Sequence, residues 1–129
     1  MIGGDTSVWV SAFRRGEGPE ATSFKQLLDE DAVCLPAPVR VEILAGASQR
    51  DFANLRRVLS ALPVLYPTEK TWSRIDTWLE RAVREGERFG AADLLIAAIT
   101  SERGAALWSL DRDFVRMESL GFLELYRPS

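Results

Sequence analysis

The sequence contains no histidine. That absence removes Ser-His-Asp and Cys-His catalysis, His-ligated zinc and imidazole proton transfer together. Any catalysis must rest on carboxylates, hydroxyls, arginines or a bound metal. There is one cysteine, Cys34, so no internal disulfide can form and a reducing cytoplasm is the expected compartment. Its apolar neighbours in AVCLP mark it as a small core residue. Long hydrophobic runs are also missing: the longest, around Leu94 to Ile99, is far too short to cross a bilayer. MIGGD has neither the basic flank nor the apolar core of a secretory signal, so no membrane association is expected. A net charge of −3 offers no basic footprint of the kind a strong duplex binder shows. A nuclease stays open, because carboxylates that hold metal make such a protein look more acidic than its working form.

What is present reads as one globular domain, 1–129. A hydrophobic share of 47% with 27% charged residues argues against disorder and for a packed core. MIGG reads as a first strand, and DTSVWVSAF turns out of it into a helix. GEGPEATSFKQLLDED reads as an amphipathic helix and AVCLP as a short buried strand closed by prolines. VRVEILAGA and DFANLRRVLSAL read as two helices, with Phe52, Leu55 and Leu59 at helical spacing, and PVLYP as a strand. TEKTWSRIDTWLERAVREGERFG opens on a capping signature at Thr68–Thr71 and carries Trp72, Ile75, Leu79 and Ala82 on one face. Helix AADLLIAAITSERG, strand AALWSL, a helical turn DFVRMESLG and a last strand FLELY complete the chain. This alternation predicts an α/β fold, a three-layer sandwich around a mostly parallel sheet of about five short strands.

In such sheets ligands bind beyond the carboxyl ends of the strands. Asp5 stands at the exit of the first strand and Asp111 at the exit of AALWSL. Glu42 lies in the helix after AVCLP, and Asp93 in the first turn of its helix. Four segments could therefore deliver carboxylates to one end of the sheet. Each acid also has a plainer reading. Asp5 can cap the helix near Ser7, Glu42 can be solvated, and Asp111 and Asp113 can cap the turn before Phe114. Asp93 is harder to dismiss, because Ala91, Ala92, Leu94, Leu95 and Ile96 surround it and a helix dipole does not explain an acid among them. If the acids converge, two carboxylates ~4–5 Å apart repel by roughly 3–4 kcal/mol at an effective dielectric of about 20. A cation among them relieves that cost, and an all-oxygen donor set selects Mg²⁺ or Mn²⁺. Such ions serve in-line phosphoryl displacement, which is nuclease chemistry.

DTSVW near the start, VEILAG further on, AADLLIAA and then WSLDRDF resemble the four acidic motifs of PIN-domain ribonucleases. Length and the closing LGFLELY are most similar to VapC-type toxins of bacterial toxin–antitoxin pairs. The resemblance spans nearly the whole chain, and four motifs in order are far more specific than one. It implies a catalytic metal site of Asp5, Glu42, Asp93 and Asp111. Asp113 is a possible fifth contributor, read here in a supporting, capping role, and Ser7 is a hydroxyl that steadies Asp5 or a water on the metal. It also implies a Mg²⁺ or Mn²⁺ cofactor, RNA cleavage leaving a 3′-hydroxyl and a 5′-phosphate, a small VapB-like antitoxin and homodimerisation. The helices of Arg40–Leu62, with Trp9 and Phe13, are expected to form the groove for the antitoxin's amphipathic segment.

The chain departs from the family pattern at Gly3 and Gly4, where aliphatic residues usually precede the first acid, and at Ser109, where threonine is common. Glycines weaken strand packing, so the first strand is expected to be short or displaced. They are the one support for the alternative of an inactive PIN scaffold that binds protein or RNA. Fourteen arginines stand against two lysines. Of these, Arg14, Arg15 and Arg112 lie near the acidic motifs and are candidates to grip RNA phosphate through bidentate guanidinium pairing. A receiver domain needs a late lysine, and none follows Lys70. A haloacid-dehalogenase-type phosphatase needs its D-x-D early, and LDRD comes late.

Overall fold

The computed structural model describes residues 1–16 and 18–128, without the side chains of residues 14 and 15. The phosphate-gripping role expected of Arg14 and Arg15 thus lies outside the described residues. Asp5 is extended and its carboxylate accepts from the Val8 N–H, which starts α1 (Thr6–Val10) directly after β1 (Ile2–Gly4). A π-helical turn over Ser11–Arg15 follows. Pro19, with φ already set for a helix and no N–H to lose, opens α2 (Pro19–Asp29). The wholly buried β2 (Val33–Pro36) runs into α3 (Ala37–Ala45). Ser48 caps α4 (Gln49–Ser60), and β3 (Val64–Leu65) leads to α5 (Glu69–Arg84). Next come α6 (Ala91–Glu102), β4 (Ala106–Trp108) and α7 (Arg112–Ser119).

The four strands are all parallel, in the order β3-β2-β1-β4, with helices flanking the sheet. The chain builds outward from β1 through β2 to β3 and then returns to lay β4 on the other side of β1. Strand order therefore reverses between β1 and β4, and a crevice at their carboxyl ends is where ligands bind in such sheets. Asp5 leaves one of these two strands and Asp111 follows the other.

Three expectations need correction. The fifth strand shrinks to one parallel bridge, Leu107 to Leu125. Leu107 bonds the Glu124 carbonyl and the Tyr126 N–H, and on the side away from β4 the Leu125 N–H donates to the Glu118 carboxylate (3.0 Å), which also pairs with Arg127. In α5 the buried face is Thr71, Ile75, Trp78 and Ala82, while Trp72 and Leu79 are exposed. That face is set from outside the helix: Trp78 stacks on Phe122 with centroids 4.6 Å apart, and the Thr71 hydroxyl donates to the Glu102 carboxylate. Phe52 is likewise mostly outside the core, with the Arg56 guanidinium over its ring.

The two early glycines do not displace the first strand. β1 is short, but it pairs on both edges, Ile2 with Val33 and Gly4 with Trp108, and the Asp5 N–H donates to the Trp108 carbonyl at 3.0 Å. Gly4 is needed for packing. A Cβ there would stand 2.8 Å from the Phe24 ring, which is itself wedged between Trp9 and Trp108. A Cβ on Gly3 would meet only ordinary contacts of 3.6 Å and beyond. Gly4→Ala should therefore cost about 1–3 kcal/mol through overpacking, and Gly3→Ala less than ~0.5 kcal/mol. Urea unfolding of the two variants tests this, and equal midpoints would refute the packing account.

Candidate metal centre

Among the described residues, three carboxylates converge at the crevice. One oxygen each from Asp93, Asp111 and Asp113 lies within 4.8 Å of the others. Two elements deliver them. Asp93 projects from the first turn of α6, just past its N-cap Gly90. Asp111 is the N-cap of α7, in the short link from the β4 exit, and Asp113 sits in the first turn of α7. Pairwise repulsion at this spacing is roughly 3 kcal/mol at an effective dielectric of about 20. The strain falls on Asp93, whose half-buried carboxyl is pushed up to about 6. Burial is the main cause, followed by the charges of Asp111, Asp113, Glu42 and Asp5.

The capping role expected of Asp113 belongs instead to Asp111. The Asp113 N–H donates to Asp111 Oδ1 at 2.9 Å, so Asp111 starts α7 and Asp113 is a full member of the cluster. Each first-turn acid also meets a helix N-terminus, which favours negative charge.

Asp5 is not one of these three, and both of its oxygens accept hydrogen bonds. It is 5% exposed. Ser7 donates to Oδ1 and Ser109 to Oδ2, each at 2.5 Å, and the Val8 N–H adds a third bond at 3.2 Å. Burial raises its carboxyl above the usual range, the nearby Asp111 adds to that, and the three hydrogen bonds oppose it. Ser7 also accepts from the Leu110 N–H at 3.0 Å, and Ser109 from the Asp111 N–H at 2.9 Å. The two hydroxyls thus rivet the exit of β1 to the exit of β4. Ser109 keeps the hydroxyl of the threonine common at this position, and that hydroxyl links Asp5 to Asp111. The pattern S-x-D after a strand, a local side-chain-to-backbone turn, was the available signal.

Glu42 is exposed on α3 and accepts from the Thr6 hydroxyl at 2.9 Å through Oε1. Its charge reaches Asp93, though its carboxylate is not among the three that converge. Arg112 is exposed at the start of α7 and forms no ion pair among the described residues. Arg116 and Glu87, which sequence reading passed over, form an ion pair beside Asp113. Only the i,i+3 spacing of Asp113 and Arg116 hinted at it.

The residues fit a hard divalent cation. All donors are carboxylate oxygens, the site is at the crevice mouth, and a charge-strained carboxyl is what a 2+ ion relieves. Beside it, a cleft of about 600 Å³ is lined by Trp9, Phe13, Glu42, Ile43, Asp51 and Leu55, among others. Trp9 is buried and stacks on the partly exposed Phe13 at 5.4 Å.

The sequence pattern of the PIN domain matches residues 4–120. No curated protein sequence matches the chain. Among solved structures, VapBC2 from Rickettsia felis, bound to a DNA fragment from its promoter, superposes with a TM-score of 0.77 at 18% identity, covering 100% of both chains. VapBC-5 of Mycobacterium tuberculosis, a member of the VapBC family of toxin–antitoxin systems, gives a TM-score of 0.68 at 20% identity over 98% of this chain and 97% of the other. The sarcin–ricin-loop-cleaving toxin VapC20 of the same organism gives 0.66 at 22% identity over 99% and 100%. At these identities the likeness establishes a shared fold.

Proposed function

We propose, from the premise that this chain belongs to the PIN-domain family, that it is a divalent-metal-dependent endoribonuclease and the VapC-type toxin of a type II toxin–antitoxin pair. The observation that carries this reading is the convergence of Asp93, Asp111 and Asp113, with the Asp93 carboxyl pushed up to about 6. A bound Mg²⁺ or Mn²⁺ would supply Lewis acidity at the phosphoryl group and a more acidic water. Asp93, Asp111 and Asp113 would hold it. Asp5, which accepts from Ser7, Ser109 and Val8, fixes the two strand ends against each other, adds its charge to the site and keeps acceptor capacity for the metal. Glu42 uses Oε1 for Thr6, and its Oε2 is left to orient the attacking water and take its proton. Arg112, free of ion pairs among the described residues, is suited to grip an RNA phosphate.

The cleft beside Glu42 suits an amphipathic antitoxin helix, with Trp9, Phe13, Ile43 and Leu55 for its apolar face and Glu42 and Asp51 for a basic residue. The exposed Trp72, Leu79 and Val83 lie on one side of α5 and suit a homodimer contact. Among the described residues no helix is long and apolar enough to cross a membrane.

The purified protein should cleave total RNA in Mn²⁺ and not in EDTA, and the new 5′ ends should carry phosphate. Cleavage that persists undiminished in EDTA, or 5′-hydroxyl ends, would refute the metal-dependent reading.

A further inference from the structure

Arg116 lies outside the acidic trio yet touches it. Its Nη2 donates to Asp113 Oδ1 at 2.8 Å and to the Arg88 carbonyl at 3.3 Å, and its Nη1 pairs with Glu87. The guanidinium carbon stands 4.7 Å from the centroid of the Phe89 ring. Phe89 is held in turn, edge-on to Phe122 at 6.2 Å. Glu87, Arg88 and Phe89 are the residues that run into Gly90, the N-cap of α6, and Asp93 occupies the first turn of that helix. One planar group therefore ties the helix carrying Asp113 to the segment that presents Asp93.

Stability does not account for this arrangement. The side chains of Arg116, Asp113 and Glu87 are 39%, 43% and 35% exposed, and ion pairs that open to solvent contribute little. Charge does not account for it either, since a guanidinium beside a cation site repels the incoming ion. What the group supplies is geometry. A planar guanidinium holds two carboxylates in one fixed geometry, whereas an ammonium's three rotatable donors impose none. It takes Oδ1 of Asp113 and leaves Oδ2 with no hydrogen bond among the described residues.

We propose that Arg116 is a positioning residue for the metal: by clamping Asp113 to the Glu87–Phe89 segment it sets the span between Asp113 and Asp93, two of the carboxylates that would hold a divalent cation. This rests on the metal-dependent reading above. Partners that orient metal-binding side chains are worth roughly 10–100-fold in affinity.

The test is calorimetric titration of Mn²⁺ into the full chain, with melting in EDTA as a second readout. Arg116→Met keeps the stem over Phe89 and removes the fork. It should weaken Mn²⁺ binding by roughly 10–100-fold and leave melting in EDTA nearly unchanged. Arg116→Lys should recover only part of the loss, because charge without the fork is insufficient. On an Asp113→Ala background, which removes the acceptor, Arg116→Met should cost nothing further, the signature of a role exerted through Asp113. Unchanged or tighter binding by Arg116→Met would overturn the inference, as would full recovery by lysine or an equal loss on the Asp113→Ala background. If the unsubstituted protein binds no Mn²⁺, the metal reading falls and this inference with it. If both it and Arg116→Met bind normally, only this inference falls.

Discussion

Asp93→Asn should abolish Mn²⁺-dependent RNA cleavage and, in the same protein, raise metal-free stability near neutral pH. The two effects have one cause. Asp93 is half-buried and faces the charges of Asp111, Asp113, Glu42 and Asp5, so its carboxyl titrates at about 6 in place of 3.8. A carboxyl whose folded value is raised contributes stability that is fully present below its unfolded value, about 3.8, and is lost as pH rises through about 6. The gap corresponds to at most ~3 kcal/mol, and solvent at the crevice mouth reduces it to about 1–2 kcal/mol. Asparagine keeps the shape and removes the charge. The variant should therefore match the parent near pH 4 and exceed it by about 1–2 kcal/mol above pH 7 in EDTA. Mn²⁺ reverses the order. A cation at a hundredfold excess over its dissociation constant adds about 2.7 kcal/mol to the parent, and the variant should gain little of it. Urea unfolding at pH 4 and 7.5, with EDTA and with Mn²⁺, measures all four cells. A variant that cleaves RNA normally, or that is less stable than the parent in EDTA at pH 7.5, would remove Asp93 from the site.

Asp5→Ala should be the most destabilising change at the crevice, at about 2–4 kcal/mol. Asp5 is 5% exposed and accepts three hydrogen bonds, one of which caps α1. Losing the cap alone costs about 1 kcal/mol, and each hydroxyl left without its acceptor in a partly buried site adds about 1 kcal/mol or more. Against that stands the relief of a buried charge, since burial already raises this carboxyl. Asp5→Asn separates the two effects. It keeps an oxygen for Ser7 and Val8, loses only the acceptor for Ser109, and sheds the charge, so its net cost should be under ~1 kcal/mol. Cleavage should fall sharply in both variants. Ser109 is held by Asp5 and itself holds the Asp111 N–H, so the Asp111 carboxylate loses its support in each. Chemical denaturation and Mn²⁺-dependent cleavage of the two variants give the answer. Equal stability of alanine and asparagine would mean that Asp5 has no hydrogen-bonding role beyond its charge.

Much of this molecule follows from sequence by itself, because the relevant physics is local. Alternating short apolar runs and amphipathic stretches specify strands and helices through neighbours a few residues apart, and hence a parallel α/β fold. Absence of histidine and thiol pairs leaves oxygen donors for any metal. Asp5, Asp93 and Asp111 stand at element boundaries, where the chain's own punctuation puts them at strand exits and first helical turns. Tertiary structure decided the rest. Which acids meet depends on the pairing of β1 with β4, which brings Ser109 to Asp5 across 104 residues. It depends also on Asp111 acting as the extended N-cap of α7, which leaves Asp113 in the first turn and within the cluster. The buried side of α5 was ambiguous because Trp72, Ile75, Trp78, Leu79 and Ala82 form an apolar arc wider than the core contact. Phe122, arriving from the far end of the chain, chose Trp78. Gly4 looked like a weakness until Phe24 occupied the space a side chain would need. Periodicity fixes what a helix or strand can bury, whereas register and packing between distant segments fix which side chains come within bonding distance, and a metal site is made entirely of the latter.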